Sequence, residues 1–317
     1  MTFRRLWRRW DHFLFSPISP IPVAIYRILL GSLVLTSGIL LLPDLETWYG
    51  ANGVLPPDIA QGYLRTPGPN PLLRVGSETR WLYAFFAAHL AAAACLTFGL
   101  YTRLSSFAVF VGLVFLHRRN PLILNGGDTF MRLAAFYLVF SPAGRALSID
   151  RWLRVRRGLE SAGQPPAPAA PWAQRLIQMQ LAIAYFVTAW WKLGGPQWVN
   201  GMAVYYVVHL QEFRRFPLPS WLFDNLWVVR LATWGTLAIE FALATLVWFR
   251  DLRYPVLLTG LLLHLGLEYT LNIPLFQWVM VSTYVLFIPP CDWQRAGRWL
   301  SRRRRPIPAQ PAAESTA

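Results

Sequence analysis

Arg27, His89, Asp128, Arg132, Lys192, Arg230, Glu240, His264 and Glu268 all fall inside or beside long apolar stretches of this chain. A charge at bilayer depth costs several kcal/mol unless it is paired or hydrated, so each is a candidate for chemistry, ion passage or helix pairing. The residue types offer acid–base work at His117, His264, Asp128 or Glu240, and proton or ion coupling through a mid-stretch carboxylate. His117, Asp128, Arg132, Lys192, Glu240 and His264 are therefore the catalytic candidates. Their spacing leaves alternatives open. Asp128 and Arg132 stand four apart and share a helical face, where they could neutralise each other as readily as act on a substrate. Glu240, in GTLAIEFALATL, has no arginine or lysine within a turn, so its partner comes from another helix or it carries a proton. His264 is followed at the same spacing by Glu268, which makes a His–Glu pair available, although a lone histidine is more often a hydrogen-bonded core residue. His89 has no such companion and reads as packing. Arg27 and Arg230 lie near stretch ends and can snorkel to the interface.

Two polar segments interrupt the apolar pattern. HRRNPLILNGGDTFMRL (117–133) brings basic, amide, glycine and acidic groups together, and Gly126 and Gly127 let backbone amides approach a ligand or another helix closely. WWKLGGPQWVNG (190–201) ends an apolar stretch at Lys192 and breaks it with glycine and proline. Asn125, Gly126, Gly127, Trp198 and Glu268 are the ligand-binding candidates. The histidines show neither HxxxH nor HExxH spacing, so no metal site is expected.

Such residues need a scaffold, and composition says which. Of 317 residues, 55% are hydrophobic and 14% charged, well short of the charged quarter of a soluble domain. Apolar stretches fall near 21–43, 81–101, 103–117, 128–147, 173–193, 226–249, 254–272 and 275–289. The expected fold class is all-α: a polytopic transmembrane helical bundle of about eight spans. Residues 1–15, with Trp7 and Trp10 among arginines, are expected to form an N-terminal amphipathic interfacial helix, without the cleavage site of a signal peptide. The bundle then covers 16–290, with a flexible Pro/Ala-rich inner linker at 163–171, and 291–317 is a basic cytoplasmic tail, partly disordered.

The net charge of +15 sits in clusters flanking apolar stretches, at Arg4–Arg9, Arg145–Arg157 and Arg302–Arg305. That is the positive-inside pattern; no aromatic-interleaved basic groove accompanies it, so no nucleic-acid partner is expected. With those clusters inside, both termini are cytoplasmic and the span count is even. Lys192 is the only lysine, an arginine skew that fits a GC-rich bacterial genome and hence a bacterial cytoplasmic membrane. Cys95 and Cys291 offer no disulfide framework.

Read in order, the Arg27 stretch with PDLETWYGANGVLP (43–56), the 117–150 stretch from HRRNPLILNGGD to LSID, YFVTAWWKLGGPQWVNG (185–201), Glu240, and His264 with NIPLFQWVM (272–280) resemble the horizontally transferred transmembrane (HTTM) domain family. Its best-known relatives are the vitamin K-dependent gamma-glutamyl carboxylases, and the resemblance covers about residues 12–290. It implies a carboxylase-like scaffold and a quinone cofactor such as menaquinone. Those carboxylases use a lysine base near the loop after the third span. Here that region holds His117, Arg118, Arg119, Asn120 and Asn125, so only His117 or Asp128 could serve. The large extra-membrane domain of the carboxylases is not seen either, and protein gamma-carboxylation is not the expected activity. The leading expectation is a membrane-embedded enzyme acting on a quinone-like or lipidic substrate, with the lipid bilayer as its surroundings. The alternatives are a transporter or channel, or a non-catalytic subunit or assembly factor of a redox or export complex.

Overall fold

In an apolar medium a chain must satisfy every backbone N–H and C=O itself, and a helix does so within each segment. The computed structural model describes residues 3–63, 70–74, 78–218 and 220–303, and among these the regular structure is helical. In chain order the helices are α1 (Phe3–Phe15), α2 (Ile21–Leu41), the short α3 (Leu45–Tyr49), α4 (Pro57–Gly62) and α5 (Pro71–Arg74), α6 (Thr79–Phe98), α7 (Thr102–Arg119), α8 (Gly126–Phe140) and α9 (Ile149–Arg156). They continue with α10 (Trp172–Leu193), α11 (Pro196–Val199), α12 (Ala203–His209), α13 (Ser220–Phe223), α14 (Leu226–Thr245), α15 (Arg253–Thr270), α16 (Phe276–Ser282) and α17 (Pro290–Arg303). Each of the eight apolar stretches contains a helix, although the 128–147 stretch leaves α8 after Phe140.

Among the described residues, three helical segments are long and apolar enough to cross a membrane: Ile21–Tyr49, Thr79–Phe98 and Leu226–Trp248, with mean hydropathies of 2.0, 1.6 and 1.4. Only 33%, 28% and 33% of the residues in their apolar windows are buried inside the protein, so most of that surface faces outward. An outward apolar face of this extent belongs in lipid, and the chain is a membrane protein. The remaining apolar helices are shorter or carry charge: α8 has 15 residues, and α10 includes Arg175 and Lys192. Against the expectation of about eight spans, length and composition alone qualify these three.

Local chemistry sets the boundaries. Proline occupies the first turn of α2, where the missing N–H costs no hydrogen bond. Gly99, at φ +69°, ends α6 in the left-handed region, its N–H reaching the carbonyls of Cys95 and Leu96. The α2–α6 packing is close because Gly31 leaves room. A Cβ there would stand 2.6 Å from the Thr97 hydroxyl. Tyr26, Leu30 and Val34 of α2, Leu96 of α6, Val109 of α7, Leu138 of α8 and Ile177 of α10 meet in one core.

Two features depart from the sequence reading. Arg27 does not snorkel: it is 0% exposed, and its Nη2 donates to the Leu147 carbonyl at 2.6 Å. Leu147 adopts φ +47°, and its carbonyl is where this guanidinium ends. The Pro/Ala-rich linker is tied rather than loose, since Ile18 and Ala169 exchange backbone hydrogen bonds of 3.0 and 2.9 Å, and Arg151 donates to the Gln164 carbonyl. Helix α1 rests on the bundle through Phe13, which packs on Trp248 and under the Arg175 guanidinium. The tail beyond residue 303 lies outside the described residues.

Candidate functional site

Between α2, α3, α6, α7, α8 and the start of α16 lies a cavity of about 380 Å³. Its walls are mostly apolar, with Leu41, Trp48, Phe86, Leu116, Met131 and Phe276 among them, and its polar side is made by His89, His117, Asn125 and Asp128. Leu40 and Pro274 belong to the lining and are also exposed, so the cavity reaches the protein surface beside α2.

Each polar group owes its place to a specific local device. Asn125 caps α8: its Oδ1 accepts the Gly127 N–H at 2.7 Å, and Asp128 Oδ2 accepts the Asn125 N–H at 2.7 Å, a reciprocal capping box. Asp128 is fastened by this cap. Among the described residues no ion pair joins it to Arg132, which instead lies within electrostatic reach of His117. His89 sits against Gly112, where any Cβ would strike its imidazole. The Nδ1 atoms of both His89 and His117 are buried and have no hydrogen-bond partner among the described residues. Gly127 lets α8 approach α16, since a Cβ would stand 3.3 Å from the Phe276 Cα. Gly126 is exposed, with Phe276 also its neighbour.

The loop closing this cavity hangs on α7. Arg119, 0% exposed, donates to the carbonyls of Leu55 at 2.8 Å and Gly50 at 2.7 Å, and Asn120 donates to Trp48 O at 2.8 Å. The HRRN and PDLETWYGANGVLP segments are thus two halves of one contact. Three charge-bearing or amide donors hold the turn that presents Trp48 and Tyr49.

A second polar cluster lies among α10, α14, α15 and α16. Tyr185 Oη is 2.6 Å from His264 Nε2 and 2.9 Å from Tyr284 Oη, and His264 Nδ1 bonds Gln277 Oε1. An amide oxygen only accepts, so Nδ1 carries the proton and Nε2 accepts from Tyr185, whose oxygen accepts from Tyr284 in turn. Lys192 donates to Glu240 Oε1 and lies 4.8 Å from the centre of the Trp198 ring. Glu240 Oε2 is buried without a partner among the described residues. At 1.5 Å per residue, Tyr185, Glu240 and His264 stand roughly 16–21 Å along their helices.

The candidates therefore divide between two places. His117, Asn125, Gly127 and Asp128 reach the cavity, with Arg132 behind them; Lys192, Trp198, Glu240 and His264 form the second cluster. Helix α16 stands between, with Phe276 and Val279 lining the cavity and Gln277 in the cluster. Glu268 lines a small cleft with His264 and Gln277 but is ion-paired with Arg215 and accepts from Trp278 Nε1 at 3.1 Å, and His264 takes Gln277 and Tyr185 as partners instead. Arg230 belongs to neither; its side chain packs against Gly201 near the start of α14. His89, Tyr185, Gln277, Tyr284 and Arg119 are the participants that spacing did not single out.

The family model described as the HTTM domain matches residues 71–293. No solved structure matches the chain.

Proposed function

The chain belongs to the HTTM domain family, and on that premise we propose that it is a membrane-embedded enzyme acting on a quinone-like or lipidic substrate, menaquinone being the model ligand. The observation that carries this reading is the cavity: about 380 Å³, within the range of small-molecule sites, mostly apolar, reaching the surface, and lined on its polar side by His89, His117, Asn125 and Asp128. A planar ring suits the apolar walls, and a ring hydroxyl or carbonyl oxygen would find His89 or His117 as proton acceptor or donor, with Asp128 as a further carboxylate at the same wall. The arrangement serves proton transfer at a ring oxygen while excluding water.

Around that site we place about eight spans, using α7, α8, α10, α15 and the Phe276–Leu286 segment besides the three that length and hydropathy qualify. Both termini are cytoplasmic and α1 lies in the inner interface of a bacterial cytoplasmic membrane; the Arg145–Arg157 cluster supports that orientation. Protein gamma-carboxylation is not part of the proposal. The only lysine, Lys192, is engaged with Glu240 across α16 from the cavity.

The test is binding of menaquinone-4 to the detergent-purified protein, read by thermal stabilisation. Stabilisation that falls at least tenfold in apparent affinity in both His89→Phe and His117→Phe is expected. No stabilisation by menaquinone, ubiquinone or a prenyl lipid would sink the proposal. One observation favours a second reading as a proton-coupled transporter, namely the buried, unpartnered Oε2 of Glu240 among mid-helix groups. Substrate flux into liposomes abolished by Glu240→Gln would favour it.

A further inference from the structure

At the opposite end of the helices from the cavity, the start of α7, the 141–145 turn, α9 and Glu160 enclose a groove of about 790 Å³. Its charged lining is Arg103, Arg145, Asp150, Arg154 and Glu160. The two acids are already engaged within the protein. Asp150 Oδ1 accepts the Tyr101 N–H at 2.8 Å, and its Oδ2 accepts the Thr102 N–H at 2.8 Å and the Thr102 hydroxyl at 2.7 Å. Glu160 accepts from Arg154 Nε at 2.6 Å and lies 3.5 Å from Arg151 Nε. Arg154 is braced further by the Gly144 carbonyl at 3.1 Å. Arg103 and Arg145, by contrast, make no ion pair or side-chain hydrogen bond among the described residues.

With Arg103, Arg145 and Arg154 set against Asp150 and Glu160, the groove keeps a net positive charge, while Arg27, buried against Gly99 and Ser148 beneath the same turn, lies within electrostatic reach of Asp150. Next to these cations the exterior is apolar. Tyr101 is 70% exposed, Leu104 66% and Phe107 52%, following α7 away from the groove. A soluble anion has no use for that stripe, whereas a phosphate that carries acyl chains needs both parts.

We propose that this groove binds the phosphate headgroup of an anionic phospholipid of the cytoplasmic leaflet, with Arg103 and Arg145 on the phosphate, Arg154 as a fixed wall, and an acyl chain along Leu104 and Phe107. The site rests on the membrane orientation proposed above and is independent of what the cavity holds.

The experiment titrates the detergent-purified full chain with dioctanoyl phosphatidylglycerol, dioctanoyl phosphatidylcholine and inorganic phosphate, reading adducts by native mass spectrometry and affinity by thermal shift. The glycerol lipid is expected to bind with preference over the choline lipid, and inorganic phosphate is expected not to compete at equal concentration. At about fivefold per arginine near an anionic headgroup, R103Q/R145Q should weaken the glycerol lipid roughly thirtyfold. The charge-matched pair R4Q/R8Q on exposed α1 should leave it within twofold. Equal binding of the choline lipid, full competition by inorganic phosphate, or an equal loss in R4Q/R8Q would each overturn the proposal. Orientation is scored separately by labelling Ser161→Cys, in a C95A/C291A background, with an impermeant maleimide on intact cells. Labelling from outside would reject the topology, while a lost lipid preference in detergent would reject the site.

Discussion

Replacing Arg119 with methionine should loosen the turn that closes the cavity while leaving α7 itself in place. The wild-type side chain is 0% exposed and makes charge-assisted hydrogen bonds of 2.8 and 2.7 Å to Leu55 O and Gly50 O. Each such bond contributes about 1.5–3 kcal/mol, so the pair accounts for roughly 3–6 kcal/mol. The two carbonyls are not equivalent. Gly50 O keeps the Gly53 N–H at 3.3 Å, whereas Leu55, 3% exposed, loses its side-chain donor. Arg119→Lys carries a single ammonium in place of the fork and should retain about half of the total. The assay is SDS-induced unfolding of the purified protein in mixed micelles, with menaquinone-4 binding as a second readout because Trp48 and Tyr49 sit in the same turn. The expected order of stability is wild type, then Arg119→Lys, then Arg119→Met. The reasoning fails if Arg119→Met loses no more than Arg80→Gln, which removes an arginine whose side chain is 75% exposed.

Three further outcomes can be checked directly. Lys192→Met should cost more than the double change Lys192→Met/Glu240→Gln, because the single change leaves a carboxylate with side-chain exposure of 9% and no cation; a double-mutant cycle in SDS unfolding with no coupling would refute the pairing. Tyr185→Phe removes the donor to His264 Nε2 and the acceptor of Tyr284, and should destabilise by about 1–3 kcal/mol, whereas Thr188→Ala, on the exposed side of α10, should stay within about 0.5 kcal/mol. The Tyr254 hydroxyl, donating to Asp292 Oδ2, holds that carboxyl below its ordinary value, with Arg295 assisting. The contact therefore supports α17 fully above the ordinary carboxylate value of about 3.9 and is lost as pH falls through the lowered one. Hydrogen exchange at the start of α17 should rise in Tyr254→Phe at pH 7, and the two proteins should converge at acid pH.

The helices are legible in the sequence because an apolar run has few alternatives, and each of the eight stretches contains a helix, though the 128–147 stretch turns out of α8 after Phe140. Their partners were harder to read. Glu240 pairs with Lys192 some 48 positions away, and nothing within a turn of either residue advertises the other. Asp128 shows how a correct local rule lost to a stronger one. Its spacing to Arg132 offers an ion pair, but Asn125 and Asp128 also stand at the N-cap and third positions of α8, and the backbone N–H groups at a helix start claim the carboxylate first. His264 likewise had Glu268 at the favoured spacing, yet Gln277 and Tyr185 meet it inside the bundle while Glu268 turns outward to Arg215. His89 looked like packing because a single histidine in an alanine-rich helix carries no pattern. Its place opposite Gly112 exists only once α6 and α7 are side by side.

Helix α16 is only seven residues long, and its N-cap is Leu275, a non-glycine residue held at φ +58°. It is a party wall with a tenant on each side: Phe276 belongs to the cavity, and the very next residue, Gln277, fixes the tautomer of His264. Neither room can be refurnished alone. A substitution that widens the cavity at Phe276 shifts the frame on which Gln277 sits, so variation at one site is filtered by its effect on the other. For anyone redesigning ligand preference here, that adjacency makes paired changes across positions 276 and 277 the productive unit.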